Sequence, residues 1–286
     1  MNQFKKKMYD LSGPKTAEAL NKRRFEAYYC STAEEAVEKA LELIPREDTV
    51  SWGGAMTVDE LGLKQRLAQE GYTLLDRDTA KTPEEKQAIM RQALTCGTFL
   101  MSSNAISKDG QLVNIDGMGN RVAAMCFGPR QVVVIAGMNK VLGTLDDAIA
   151  RARNIAAPAN AQRFGIKTPC GLTGQCGDCT SPDCICSYVV VTRNSMVHER
   201  IKVILVGEDL GLQKEEFCRC GGIKEQKKRG SGDGDHHIPS GNGQKRHRGG
   251  GGDPSPGRPA GYPHGDGIRP GSRRAQRGRG APYFRG

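Results

Sequence analysis

The sequence predicts an α/β fold: a Rossmann-like, mostly parallel sheet with helices on both faces. Three observations predict it. β-rich runs alternate with runs of helical periodicity from about residue 11 to residue 206. The run QVVVIA over 131–136 is apolar at consecutive positions, as a strand covered on both faces must be. Aliphatic residues nearly stop after Leu212, so a body of residues 1–212 holds the core, long enough for one substantial domain.

The elements follow in order. Residues 11–24 read as a helix and 25–30 as a short strand. Ser31-Thr-Ala-Glu34 sets a hydroxyl three residues ahead of a carboxylate, the pattern of a capping box, and Ala36, Val37, Ala40, Leu41 and Ile44 follow at helical spacing. Pro45 ends that helix. Residues 49–52 form a candidate strand, Gly53-Gly54 bends the chain, and a helix runs over 58–69. A strand over 72–75 precedes a helix over 82–94, with Pro83 in the first turn where its missing amide costs nothing. The runs 98–102, 111–115 and 131–136 are strands, with Asp109-Gly110 as a hairpin turn ahead of the second. A helix over 145–156, a Cys-rich loop over 168–187 and strands over 187–192 and 202–206 complete the body.

Charge divides the chain differently. Residues 213–286 hold 16 Lys and Arg against 7 Asp and Glu, so they supply +9 of the formal net charge of +10. They also hold 19 of the 37 glycines, and such a composition cannot bury enough apolar surface to offset chain entropy. We expect a disordered tail. Its Arg273, Arg274, Arg277, Arg279 and Tyr283-Phe284 would suit a weak nucleic-acid arm. The change is abrupt, however, and a GC-rich gene read out of frame gives the same composition, so we expect a frameshift product and no nucleic-acid partner. No run approaches the roughly 20 apolar residues of a membrane helix, and MNQFKKKMYD has no apolar signal core, so a cytoplasmic protein is expected.

In open α/β sheets ligands sit beyond the carboxyl ends of strands, so function is sought in the loops there. Gly53 and Gly54, with Thr57 and Glu60 in the following helix, could bring backbone amides to an anion, although two glycines also suit a plain tight turn. Asn114, Asp116, Gly117, Gly119, Asn120 and Arg121 crowd polar and permissive residues ahead of Val122-Ala-Ala-Met125. If that segment opens a helix, Asn120 caps it and free amides with Arg121 face an anion; ordinary turn chemistry is the alternative. Asn139 and Lys140 follow the buried strand in a third such loop. Together the three loops point to a crevice for a phosphate or carboxylate. His198 is the body's only histidine, so a His pair is excluded there, and the catalytic residues are unknown.

Five cysteines lie between Cys170 and Cys186. Cys176 and Cys179 form a Cys-x-x-Cys pair, and Cys170 and Cys186 flank it at spacings that can close a four-thiolate cage. Such a cage suits zinc or an iron–sulfur cluster; a redox disulfide between Cys176 and Cys179 is the competing reading. Cys30, Cys96 and Cys126 stand in apolar surroundings and are expected in the core.

The strings SWGGAMTVDELG from Ser51, NIDGMGNRVAA from Asn114, GMNK from Gly137, ARNIAAPAN from Ala152 and TPCGLTGQCGDCTSPDCIC from Thr168 resemble the LUD-domain (lactate utilisation) family. The resemblance covers about residues 3–212 and implies a fold like the sugar-phosphate isomerase and CoA-transferase superfamily. It further implies a component of lactate or organic-acid oxidation that works beside iron–sulfur oxidoreductase subunits; the anionic small-molecule ligand is the expectation from the three strand-end loops. A non-catalytic assembly subunit with a zinc-stabilised loop is the alternative. Cys184 stands where the family's SPxRIC pattern has Arg, which leaves Cys170, Cys176, Cys179 and Cys186 as the matching set.

Overall fold

The computed structural model describes residues 1–212; the tail expectations, a disordered stretch and a frameshift product, lie outside the described residues. The first half contains α1 (Gln3–Lys22), β1 (Glu26–Cys30), α2 (Ala33–Leu43), β2 (Thr49–Trp52), α3 (Met56–Glu60), α4 (Leu63–Gln69), β3 (Thr73–Leu75), α5 (Pro83–Gln92) and β4 (Thr98–Met101). A hairpin of β5 (Ala105–Ser107) and β6 (Leu112–Asp116) follows, then α6 (Asn120–Phe127), β7 (Gln131–Gly137) and β8 (Val141–Leu142). The chain closes with α7 (Leu145–Arg151), α8 (Ala157–Phe164), α9 (Pro169–Thr173), β9 (Tyr188–Thr192) and β10 (Ile201–Val206).

Six strands form one parallel sheet in the order β1-β10-β7-β4-β2-β3, as the alternation of runs predicts. The apolar run in β7 explains why the sheet is covered twice. Val132, Val134 and Ala136 face one core with Phe99, Val203 and Leu205, while Val133 and Ile135 face another with Val50, Trp52, Leu100 and Ile204. Each such Val, Leu, Ile or Phe side chain, fully buried, contributes roughly 1.5–3 kcal/mol. Ala36 and Ala40 of α2 with Leu63 and Leu67 of α4 cover the second face. Leu20 of α1 and Met125 of α6 help to cover the first.

The remaining strands make a separate sheet, β8-β5-β6-β9, which the sequence does not announce. Its β5–β6 and β6–β9 pairs are antiparallel, so these strands cannot be read as further members of a parallel array. Ile106 and Leu112 turn to the first core of the large sheet; Ala105, Val113 and Ile115 turn to a third core beneath Ala148, Ala152 and Ala157. The alternation along the hairpin therefore buries both its faces. The Asp109-Gly110 turn is found as expected, with Gly110 at φ +90°.

Local differences from the predicted elements have physical causes. α1 starts eight residues early because Asn2 caps it by accepting from the Lys5 amide, and Tyr9 is fixed from afar by donating to Asp209 at 2.8 Å. The capping box of α2 is displaced by one residue: Thr32 accepts from the Glu35 amide, and the Glu35 carboxylate accepts from the Ser31 amide. The helix predicted over 58–69 is two, broken where Gly62 adopts φ +63°. The helix predicted over 145–156 continues through a π-helical turn, Ala152–Ala156, into α8. Cys30 and Cys96 are buried as expected, and burial pushes both thiols up to about 11. Cys126 is exposed instead, because α6 turns Val122, Ala124 and Met125 inward.

Candidate functional site

The segments following β2, β3, β4, β7 and β10 all contribute to one cleft of about 310 Å³, at the carboxyl edge of the parallel sheet. Gly54 and Thr57 come from the first, Arg77 from the second, Ser102 from the third, Lys140 from the fourth and Gly211 from the fifth. The opposite side comes from the loop after β6, with Asp116, Gly117, Asn120 and Arg121, and from Arg151, Asn160 and Arg163 of the α7–α8 segment. Among the described residues the lining thus sets Arg77, Arg121, Lys140, Arg151 and Arg163 against the single carboxylate of Asp116.

Lys140 ends a short 3₁₀ turn, Met138–Lys140, directly behind β7. Its side chain is buried, and Nζ donates to Thr57 Oγ1 at 2.7 Å and to Ser102 Oγ at 2.8 Å. Among the described residues no carboxylate forms an ion pair with it. Burial first, and then the positive charges of Arg151 and Arg121, push the ammonium down from 10.5 to about 7, with Glu60 opposing them.

Arg121 organises the loops around that amine. Its guanidinium donates to the Ser102 carbonyl at 3.2 Å, to Asn104 Oδ1 at 2.9 Å and to the Ile115 carbonyl at 2.5 Å. Burial and the neighbouring Arg77 charge lower its pKa, and Asp116 opposes them. Arg151, also buried, donates to the Asn104 carbonyl. Gly53 makes room for Arg121: a Cβ there would stand 2.9 Å from both Arg121 Cγ and Cδ.

The segment after β6 does open a helix, but Asn120 is not its cap. Gly119 occupies that position with φ +82°, a conformation that favours glycine, and Asp116 supplies the missing acceptor. Its carboxylate accepts from the amides of Gly119, Arg121 and Val122 at 3.3, 3.0 and 3.1 Å. Those amides are therefore not open to an anion, and positive side chains supply the attraction.

Of the residues singled out from sequence, Gly54, Thr57, Asp116, Gly117, Asn120, Arg121 and Lys140 line the cleft. Gly53 and Gly119 sit behind it as backbone supports. Glu60 is exposed and accepts from the Gly211 amide at 2.8 Å, while Asn139 exchanges hydrogen bonds with the Leu210 backbone; both hold the loop after β10. Asn114 is wholly buried and donates to Met125 Sδ. Arg77, Ser102, Arg151, Asn160 and Arg163 were missed. Arg77 and Ser102 stand one or two residues past strand ends, a position that is itself a signal; nothing local marks the three from the α7–α8 segment.

A model of the LUD domain matches residues 13–206. The chain belongs to the LUD-domain family. Membership places it among proteins of the lactate-utilisation type. No curated protein matches it. Among solved structures it is similar to a DUF162-family protein from Deinococcus radiodurans, with 11% identity, 69% of this chain and 98% of that chain covered, and a TM-score of 0.42. It is also similar to ribose 5-phosphate isomerase A from Neisseria gonorrhoeae, with 16% identity and a TM-score of 0.26, over 38% of this chain and 52% of that one.

The cysteine loop of this LUD domain lies beside the cleft, since Ile185 lines it and packs its backbone against Gly117. Cys184 and Cys186 sulfurs are 3.3 Å apart. Burial and Cys184 push the Cys186 thiol up to about 12, and the charges of Cys176 and Cys179 add to this, so these sulfurs share one neighbourhood. Cys170 instead pairs with Thr168 Oγ1 at 3.2 Å. Among the described residues no three His, Cys, Asp or Glu side chains are gathered closely enough to hold a metal ion. As placed, the sulfurs do not form the four-thiolate cage. No helix among the described residues is long and apolar enough to cross a membrane.

Proposed function

We propose that this LUD domain binds a small organic acid of the lactate class in the strand-end cleft, as one component of a lactate- or organic-acid-oxidising system. The observation that supports this is Lys140, a buried ammonium with two hydroxyl partners and no carboxylate ion pair among the described residues. Such a group gains a counterion when a carboxylate enters. Oxidising a hydroxy acid to an oxo acid releases two electrons and two protons. No side chain lining the cleft takes up electrons, so in this reading they pass to an iron–sulfur oxidoreductase partner. The metal reading of the cysteine loop is likewise a proposal, supported by the thiol spacing and not by the sulfur positions.

The test is calorimetric titration of the full chain with lactate and with pyruvate near pH 6.5. Saturable binding that is lost in Lys140→Met supports the reading. Absence of saturable binding by either acid, or equal binding in the variant, rejects it.

A further inference from the structure

Lys140 accounts for one end of the cleft and leaves a second group of cations unexplained. Arg77, in the 3₁₀ turn Arg77–Thr79 after β3, and Arg163, in α8, come from opposite sides and converge over Gly54. A Cβ on Gly54 would stand 2.9 Å from Arg77 Nη2 and 3.8 Å from Arg163 Nη2, so both nitrogens reach the same small volume. Neither Nη2 has a hydrogen-bond partner among the described residues. Among the described residues the buried Arg77 Nε has no hydrogen-bond acceptor; the Asp78 carboxylate is 3.9 Å from it and half exposed. Arg163 is held in place from behind, by Nε donating to Asn160 Oδ1 at 3.0 Å and by its guanidinium lying 4.4 Å from the Phe164 ring centroid.

Two guanidinium groups steered to one point repel each other unless an anion lies between them. Planar, multiply donating and oriented, they suit a phosphate better than a point charge would. The cleft also has room to spare: about 310 Å³ falls in the range that holds ligands well larger than a three-carbon acid.

We infer that the ligand of this cleft carries two anionic groups, a carboxylate at Lys140 and a phosphate between Arg77 and Arg163, which makes it a phosphorylated small organic acid. This rests on the cleft being an anion site, and it names the class of anion. Gly54 then has a specific role, because any side chain there would occupy the phosphate position.

The experiment is calorimetric titration of the full chain with three probes: lactate, inorganic phosphate and 3-phosphoglycerate. The last is expected to bind at least about tenfold tighter than either of the others, because its two groups are linked. In Arg77→Gln/Arg163→Gln the ratio of 3-phosphoglycerate affinity to lactate affinity falls to about one. Arg163→Gln alone, at an exposed position, gives a partial loss and guards against a double variant that does not fold. Lactate binding with no gain for 3-phosphoglycerate, or a gain that survives the double variant, overturns the two-group ligand and leaves the anion site standing. Failure of all three probes removes the anion site and this inference with it.

Discussion

Replacing Lys140 by Met tests the physical basis of the cleft directly. The folded protein holds this amine near pH 7 against an ordinary value of 10.5. At about 1.4 kcal/mol per pH unit, that displacement corresponds to roughly 5 kcal/mol of destabilisation by the charged form. The sign follows from proton counting. Between about pH 7 and 10.5 the unfolded chain binds the proton that the folded chain has released, so wild-type stability rises with pH across that window. Below pH 7 both states are protonated and the full penalty is present. Lys140→Met has no such proton, so it should exceed the wild type in stability near pH 6 and lose that advantage progressively toward pH 10. The Thr57 and Ser102 hydroxyls left behind reduce the gain by about 1 kcal/mol each. Urea denaturation of both proteins at several pH values measures the difference, and other titrating groups cancel because both chains share them. Parallel stability profiles from pH 6 to 10 would show that Lys140 is not held low by burial, and the reasoning would fail. The same proton governs ligand binding: anion affinity should fall about tenfold per pH unit above 7 in the wild type.

Three further outcomes are expected. Gly53→Ala pushes a Cβ against Arg121 and should cost about 1–3 kcal/mol by loosening the Ser102, Asn104 and Ile115 contacts; an unchanged thermal midpoint would contradict that packing. Asp116→Ala removes the acceptor for three amides at the start of α6, those of Gly119, Arg121 and Val122, and should cost about 1–2 kcal/mol, yet anion affinity should rise because the cleft loses its carboxylate. Weaker anion binding in that variant, measured by calorimetry, would mean that Asp116 contacts the ligand. For the cysteine loop, anaerobically purified protein should contain iron or zinc by elemental analysis and lose it in Cys176→Ser; metal-free wild type would end the metal reading.

The cleft was partly legible because strand ends carry it and strand ends can be read from sequence. Lys140 was found because it follows an unmistakable buried strand, and Arg121 because it sits in a run of Gly, Asn and Asp. Their roles were not legible. Arg121 was expected to greet an anion beside free amides, and it instead ties three loop oxygens together while Asp116 occupies the amides. An Asp three residues before a helix N-cap reads equally as a ligand contact or a cap, and only the hydrogen-bond partners separate the two.

The sequence by itself determined the parallel sheet, because the 3.6- and 2-residue periods are local properties of the chain and alternate plainly from α1 to β10. It also determined the hairpin at Asp109-Gly110, since a short turn with φ above zero at its glycine is specified by its own residues. The antiparallel second sheet needed tertiary structure, because β6 finds its partner β9 more than 70 residues later and neither strand's pattern names the other. So did the pairing of Arg77 with Arg163. Single arginines in polar segments look like surface charge, and what makes these two a site is convergence over Gly54, a distance that only the folded chain can set.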